Sequence, residues 1–318
     1  MPRLLLLIIT FMTTVGVVPA QPPLVNFLGP IPGYTARPQA RSWALGVELS
    51  GGVVASFYDT LGTVHRFPEN KGYDQLASLR LNMGYAFSDI IGIRIRLPFI
   101  LAQGPLRDPL DGSVLDSGVG SGDTGLGDAV LEGYLVLRSD LNGSGMLLIK
   151  VKAPTGSTPI ELEGTGRTST GTGQTDLEFM GVADLAINNR LLASIAGSYT
   201  RRLEGRHPDY VETFDPGDRI AANGRLSMRL TPLLALGIDL HYAKSFYDWR
   251  IAKAYGQETE AIEHSDSEAV CVTPMIGGMF TWGKLTTVLL GAYTLDLRGL
   301  NRTKVECVTL SAQFYCLR

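Results

Sequence analysis

From Trp43 onward the chain alternates apolar and polar residues in stretches of about ten to fifteen, joined by connections that are long and short in turn. One stretch shows the alternation plainly. Tyr73, Gln75, Ala77, Leu79, Leu81, Met83, Tyr85 and Phe87 take the odd positions, while Asp74, Ser78, Arg80, Asn82 and Gly84 take the even ones. Successive side chains of a strand point to opposite faces, so one face is apolar and the other charged. The next stretch repeats this with Ile91, Ile93, Ile95, Leu97, Phe99 and Leu101 against Arg94 and Arg96. Such a chain folds as an all-β protein, and the pattern predicts an antiparallel up-and-down transmembrane β-barrel.

Composition does not decide between a soluble and a membrane protein. Charged residues make up 19% of the chain and hydrophobic ones 45%, with a mean hydropathy of +0.11. The N-terminus narrows the choice. Arg3 precedes an apolar run from Leu4 to Met12, and Val18-Pro19-Ala20 offers small residues for cleavage before Gln21. Residues 1–20 therefore read as a signal peptide, and export leads to the outer membrane of a Gram-negative-type bacterium. No later apolar run approaches the ~18 residues that a spanning helix needs, so any membrane crossing is made by strands.

Residues 21–42, with Pro22, Pro23, Pro30, Pro32 and Pro38, lack periodicity and read as a Pro-rich periplasmic lead-in. The barrel then occupies 43–318. About twelve strands are expected, over 43–57, 73–87, 90–102, 127–138, 145–154, 175–187, 190–202, 218–230, 233–247, 269–281, 284–297 and 305–317. Tight links at Ser88-Asp89, 139–144, Asn188-Asn189, Thr231-Pro232 and Gly283 alternate with long links at 58–72, 103–126, 155–174, 203–217, 248–268 and 298–304. Outer-membrane barrels have short periplasmic turns and long external loops. Starting from the periplasm, every short link falls inside and every long one outside.

The alternation sends one set of side chains inward: Glu48, Arg80, Arg94, Arg96, Asp128, Glu132, Arg138, Lys150, Lys152, Asp176, Glu178, Asp184, Arg202, Arg225, Arg229, Asp239, His241 and Asp296. The other face of the same strands is almost free of charge. An Arg or Lys facing lipid at mid-depth costs about 2–4 kcal/mol, which gives the sorting its physical cause. Of this set, Arg80, Arg94, Arg96, Asp128, Glu132, Lys150, Lys152, Asp176, Glu178, Asp184, Arg225, Arg229, Asp239 and His241 are the candidates for lining a lumen. Arg94, Arg96, Lys150 and Lys152 lie close in chain order to acidic residues, so neighbouring strands can pair opposite charges. Such pairs either hold a plugged interior together or line a path for a solute.

Other chemistry finds little support. Gly120 to Gly125 fits a G-x-G-x-x-G spacing, but an alternating strand follows where a dinucleotide site needs a helix. No cofactor is expected. The histidines are His65, His207, His241 and His264; His264 lies in an acidic loop with Glu258, Glu260, Glu263 and Glu268, and its spacing matches neither a barrel esterase nor an EF-hand. Neither a catalytic residue nor a metal ligand is assigned, so an enzyme is not expected. Three cysteines, Cys271, Cys307 and Cys316, are too few for a disulfide scaffold and leave at least one thiol unpaired. A formal charge of -3 gives no reason to propose a nucleic-acid partner. The expected partners are outer-membrane lipid and a small-molecule solute.

One local pattern adds a resemblance. Gly125-Leu126-Gly127-Asp128 opens a strand; after a turn, a second strand ends Lys150-Val151-Lys152-Ala153-Pro154-Thr155-Gly156; a Gly/Thr-rich loop then returns to Thr175-Asp176. Over about residues 118–200 this resembles the exported barrel family named for the MetA pathway of phenol degradation, whose members are transporter-like outer-membrane proteins. The resemblance implies a barrel concerned with uptake of aromatic or other apolar compounds. The chain departs from the usual terminal aromatic residue of such barrels, ending Phe314-Tyr315-Cys316-Leu317-Arg318.

The expected function is thus a channel or transporter for small compounds, hydrophobic or aromatic ones included. A structural or surface-interaction barrel is the alternative, and a barrel enzyme comes third. The strand order makes a direct prediction. A tag inserted within 258–266 should be labelled on intact cells and one after Asn142 should not, as read by an impermeant antibody; the reverse labelling would overturn the order.

Overall fold

The computed structural model describes residues 40–66, 74–102, 124–139, 143–157, 171–206, 213–247, 249–251, 260–261, 266–300 and 302–316. The expected signal peptide and the lead-in as far as residue 39 lie outside them. Twelve long strands form the wall: β1 (Ser42–Tyr58), β2 (Asp74–Ala86), β3 (Ile91–Ala102), β4 (Ala129–Ser139), β5 (Gly143–Ala153), β6 (Asp176–Ala186), β7 (Leu191–Arg202), β8 (Arg219–Arg229), β9 (Leu234–Ser245), β10 (Ser267–Trp282), β11 (Leu285–Leu300) and β12 (Arg302–Cys316). Each pairs antiparallel with its chain neighbours, and β1 pairs with β12 from Trp43↔Cys316 to Tyr58↔Arg302. The protein is a closed twelve-stranded antiparallel β-barrel.

Three of the short turns share one device. Ser88 Oγ accepts from the N–H groups of Ile90 and Ile91 at 3.2 and 3.1 Å. Asn188 Oδ1 does the same for Arg190 and Leu191 at 2.8 and 2.9 Å, and Thr231 Oγ1 for Leu233 and Leu234 at 3.2 and 3.1 Å. A short polar side chain thus satisfies two turn N–H groups that no strand can reach. Another short turn, Gly283-Lys284, joins Trp282 directly to Leu285, and Gly283 has φ 59°, which a residue without a Cβ adopts at no steric cost.

The register carries the alternation around the wall. Outward positions hold Trp43, Leu49, Ile93, Ile95, Leu131, Ile149, Phe179, Ile195, Leu226, Ile238, Ile276 and Leu310, all exposed. Inward positions near the short turns hold a different set. Ala235, Met275, Met279, Val288 and Tyr315 form one buried apolar cluster, and Val136, Met146 and Leu148 form another, with Tyr134, Met180 and Val182 against it. Gly92 lies across from Tyr134, and a Cβ there would collide with the phenol. Among the described residues, these two apolar clusters lie toward the short-turn end of the interior.

Several boundaries differ from those expected. The strand placed at 127 begins at Ala129, because Gly125–Leu126 makes its own short pairing with Phe99 and Ile100. No long link occupies 298–304: β11 runs to Leu300 and β12 starts at Arg302. The polar, Gly-containing sequence there reads as a loop, but Leu300 pairs with Glu268 and Arg302 with Tyr58, so ladder bonds to both neighbours carry the strands on. The long links 203–217 and 248–268 contribute Gly205–Arg206, Thr213–Asp215, Trp249–Ile251 and Glu260–Ala261 to a separate four-stranded sheet that local patterning did not signal. In the link after β1, Val64–Arg66 folds back on β1, and Asp59 accepts from the N–H groups of Leu61 and Thr63, both at 2.8 Å. A hydrogen bond from His65 holds the Asp59 carboxyl below the usual carboxylate range.

The register makes Leu81 and Arg80 opposite-facing neighbours, with Leu81 level with Val47 and Leu97 on the outer face. Leu81→Arg is expected to cost about 2–4 kcal/mol by placing a charge in lipid, whereas Leu81→Val should assemble normally. The folded fraction of each, measured by heat-modifiable migration, checks this; equal folding of the two would show that the strand faces the other way.

Candidate functional site

Cross-strand neighbours on the inner face form a band of ion pairs. Glu48 on β1 sits opposite Arg80 on β2, and Arg80 Nη1 donates to Glu48 Oε1 at 2.6 Å. On β3 and β4, Arg96 Nη2 donates to Glu132 Oε2 at 2.6 Å, while Arg94 Nε lies 3.6 Å from Glu132 Oε1. Lys150 on β5 donates to Glu178 on β6 at 2.8 Å. Arg225 on β8 grips Asp239 on β9 through Nε and Nη2 at 3.1 and 2.5 Å. Antiparallel register places directly opposed residues within reach of each other, and opposite charges there stabilise the pair.

These pairs enclose a cavity of about 500 Å3 in the barrel interior. Its charged wall is Glu48, Arg80, Arg96, Lys150, Glu178, Arg219, Arg225 and Asp239, with His241 beside them. Hydroxyls of Ser198, Thr200, Thr273, Thr294 and Thr309 cover much of the β7–β12 side. Met180, Met275, Leu290 and Ala292 give it an apolar floor continuous with the two buried clusters. Asn223 stands level with His241, and Cys271 with His241 on the next strand. The Cys271 thiol donates to Asp296 at 2.8 Å, and none of Cys271, Cys307 and Cys316 is in a disulfide.

The sequence candidates thus divide by depth. Arg80, Arg96, Lys150, Glu178, Arg225, Asp239 and His241 come together around the cavity. Arg94 and Glu132 sit behind it, with the Glu132 side chain 0% exposed. Lys152 and Asp176 pair at 2.6 Å nearer the long-link end. Asp184 accepts from Ser144 Oγ at 2.9 Å, Arg202 donates to the Gly217 carbonyl at 2.5 Å, and Arg229 faces inward near the short turns, level with Ala235. The Arg138 side chain lies outside what the structure describes, as do His207, His264 and most of the acidic loop.

Asp128 stands apart from the others. It lies before β4, and its carboxylate accepts from Gly156 N at 3.2 Å, Thr172 N at 2.8 Å and Thr172 Oγ1 at 2.7 Å. Thr155 Oγ1 meanwhile donates to Gly127 O and accepts from Ala129 N, both at 2.9 Å. Lys152 reaches the same knot through Thr172 Oγ1 at 2.8 Å. The Gly-Leu-Gly-Asp and Ala-Pro-Thr-Gly segments are therefore the two halves of one junction, tying the bases of the 155–174 link to β4.

Sequence reasoning passed over Arg219, at the start of β8, and the other lining residues it did not place in the lumen are uncharged, among them Asn223, Cys271, Thr273, Thr294, Thr309, Met180, Met275 and Leu290. A parity count along each strand places them inward, but the uncharged ones were missed because only charge had been used as the marker.

Compared with known proteins, the barrel has a solved counterpart in the COG4313 outer membrane channel from Pseudomonas putida F1, with a TM-score of 0.69 over 90% of this chain and 98% of that one, at 14% identity. The chain has the fold of an outer-membrane channel. The Pseudomonas putida toluene transporter TodX aligns more loosely, at TM-score 0.41 and 8% identity over 88% of this chain and 90% of that one. The KdgM porin gives TM-score 0.40 and 7% identity over 85% and 98%. No family model matches the sequence, and no curated protein matches it; the phenol-degradation family is therefore a resemblance of motif.

The buried carboxylate at the centre of the band supplies a test. Glu132→Leu removes the shared partner of Arg94 and Arg96 and leaves two guanidinium groups inside the wall. It is expected to cost about 3–5 kcal/mol, measured by urea unfolding of the protein in lipid vesicles. A change below 1 kcal/mol would show that the two arginines find other partners.

Proposed function

We propose that the protein is an exported outer-membrane channel for small organic solutes that combine an apolar body with a polar head, aromatic compounds such as phenols among them. The observation that carries this reading is the cavity, in which Met180, Met275, Leu290 and Ala292 lie against a wall of ion pairs and hydroxyls. A few placed polar groups beside apolar surface suit a small amphipathic ligand. Export is supported by the N-terminal run and its small-residue cleavage site, and a lipid setting by the exposed apolar face of the barrel. The motif resemblance over 118–200 supports the aromatic part. We favour transport over catalysis because the charges around the cavity are held in cross-strand pairs, which suits a wall rather than a reacting group. No nucleic-acid partner is proposed.

A structural barrel without transport is the competing reading, and planar bilayers separate the two. Refolded full-length protein is expected to give discrete ion-current steps. Cell fractionation should place it with the outer membrane and show heat-modifiable migration. A folded barrel that carries no current would favour the structural reading, and recovery as a soluble monomer without detergent would rule out both.

A further inference from the structure

The ion pairs around the cavity are not symmetric in what they show a solute. Five cationic side chains line it, Arg80, Arg96, Lys150, Arg219 and Arg225, against the three carboxylates Glu48, Glu178 and Asp239. Access is also unequal within the pairs. The Arg80 side chain is 39% exposed and its partner Glu48 only 10%. The Arg225–Asp239 pair is closed off on both sides, at 5% and 7%. Among the described residues Arg80 hydrogen-bonds to Glu48 alone, through Nη1, so Nε and Nη2 of the same rigid fork remain for another acceptor. A planar guanidinium engaged at one corner still presents two parallel N–H donors, the geometry that matches a carboxylate.

We infer that Arg80 is an anion subsite of the lumen and that the solute it selects is a small monocarboxylate with an apolar body. The inference rests on the channel reading and narrows it: the polar head is a carboxylate held by Arg80, and the body lies on Met180, Met275, Leu290 and Ala292. Glu48 acts as a positioning residue. Its bond to Nη1 fixes the plane of the fork, and the excess of five cations over three carboxylates around the cavity outweighs the repulsion its charge gives an incoming anion. Lys150 and Arg96 add field without matching the two oxygens, since each already donates to a buried or half-buried carboxylate.

The test uses refolded full-length protein, with benzoate as the anionic probe and benzyl alcohol as its neutral counterpart. Binding is read by saturation-transfer NMR, and current block in planar bilayers is read separately. Benzoate is expected to bind about tenfold more tightly than benzyl alcohol, and Arg80→Gln to remove that difference. Arg80→Lys should recover part of the preference, because a point charge attracts the carboxylate without matching both oxygens. The pair Glu48→Gln with Arg80→Gln removes both charges together and keeps the test open should the single variant fail to fold. Equal binding of benzoate and benzyl alcohol by the unaltered protein, or an unchanged benzoate preference in Arg80→Gln or the double variant, would overturn the subsite. Binding through Arg80 without any ion current would sink the channel reading and leave the subsite standing; current without benzoate preference would do the opposite.

Discussion

The closing ladder between β1 and β12 is the constraint on which the rest depends. A sheet in lipid cannot leave a row of N–H and C=O groups unpaired, because no water is there to take them and each costs several kcal/mol. Register from Trp43↔Cys316 to Tyr58↔Arg302 removes the edge altogether. Once the sheet is closed, each strand has one face toward the outside and one toward the interior, and the period of two does the sorting. Ile93 and Ile95 go out while Arg94 and Arg96 go in, with no further instruction.

Closure also creates the need for the ion pairs. Twelve strands bring long side chains toward a common interior, and charges there lose most of their water. Glu132 tolerates full burial because Arg96 donates to it and Arg94 stands beside it; Arg225 and Asp239 tolerate it because they bond through two N–H groups. Where pairing is less complete, as at Arg80, a charged group stays open to the cavity. The same pairing that stabilises the wall therefore decides which charges a solute meets.

Depth divides the interior into layers. Toward the short turns it holds the apolar clusters of Met275, Met279, Val288, Tyr315 and Leu148, with Arg229 and the Ser144–Asp184 pair at the same end. Ion pairs and hydroxyls surround the cavity above that floor. Nearer the long links, Asp128, Lys152, Thr172 and Asp176 knot the 155–174 link to the wall. On the channel reading proposed above, a solute passing along the axis would meet these three surfaces in turn, and an amphipathic one would find its match at the boundary between the first two.

Much of this was legible in the order of residues. Alternation is a local property, so the strands, their inward and outward faces and the Arg80–Glu48 pairing follow from parity and strand order. The short turns were legible because Ser88, Asn188 and Thr231 each carry an oxygen that serves the turn they begin. Other features were not. The strands running through 298–304 owe their continuation to ladder bonds with Glu268 and Tyr58, far away in the chain. Asp128 reads as one more inward charge, yet its partners lie at Gly156 and Thr172, brought to it by a link whose path local pattern does not fix. Sequence alone determined which face each residue takes, because that depends on neighbours one and two positions away. Only the tertiary structure decided which inward residues share a cavity and which charges remain open within it, because that depends on how far each strand is staggered against the next and on which partner reaches a charge first.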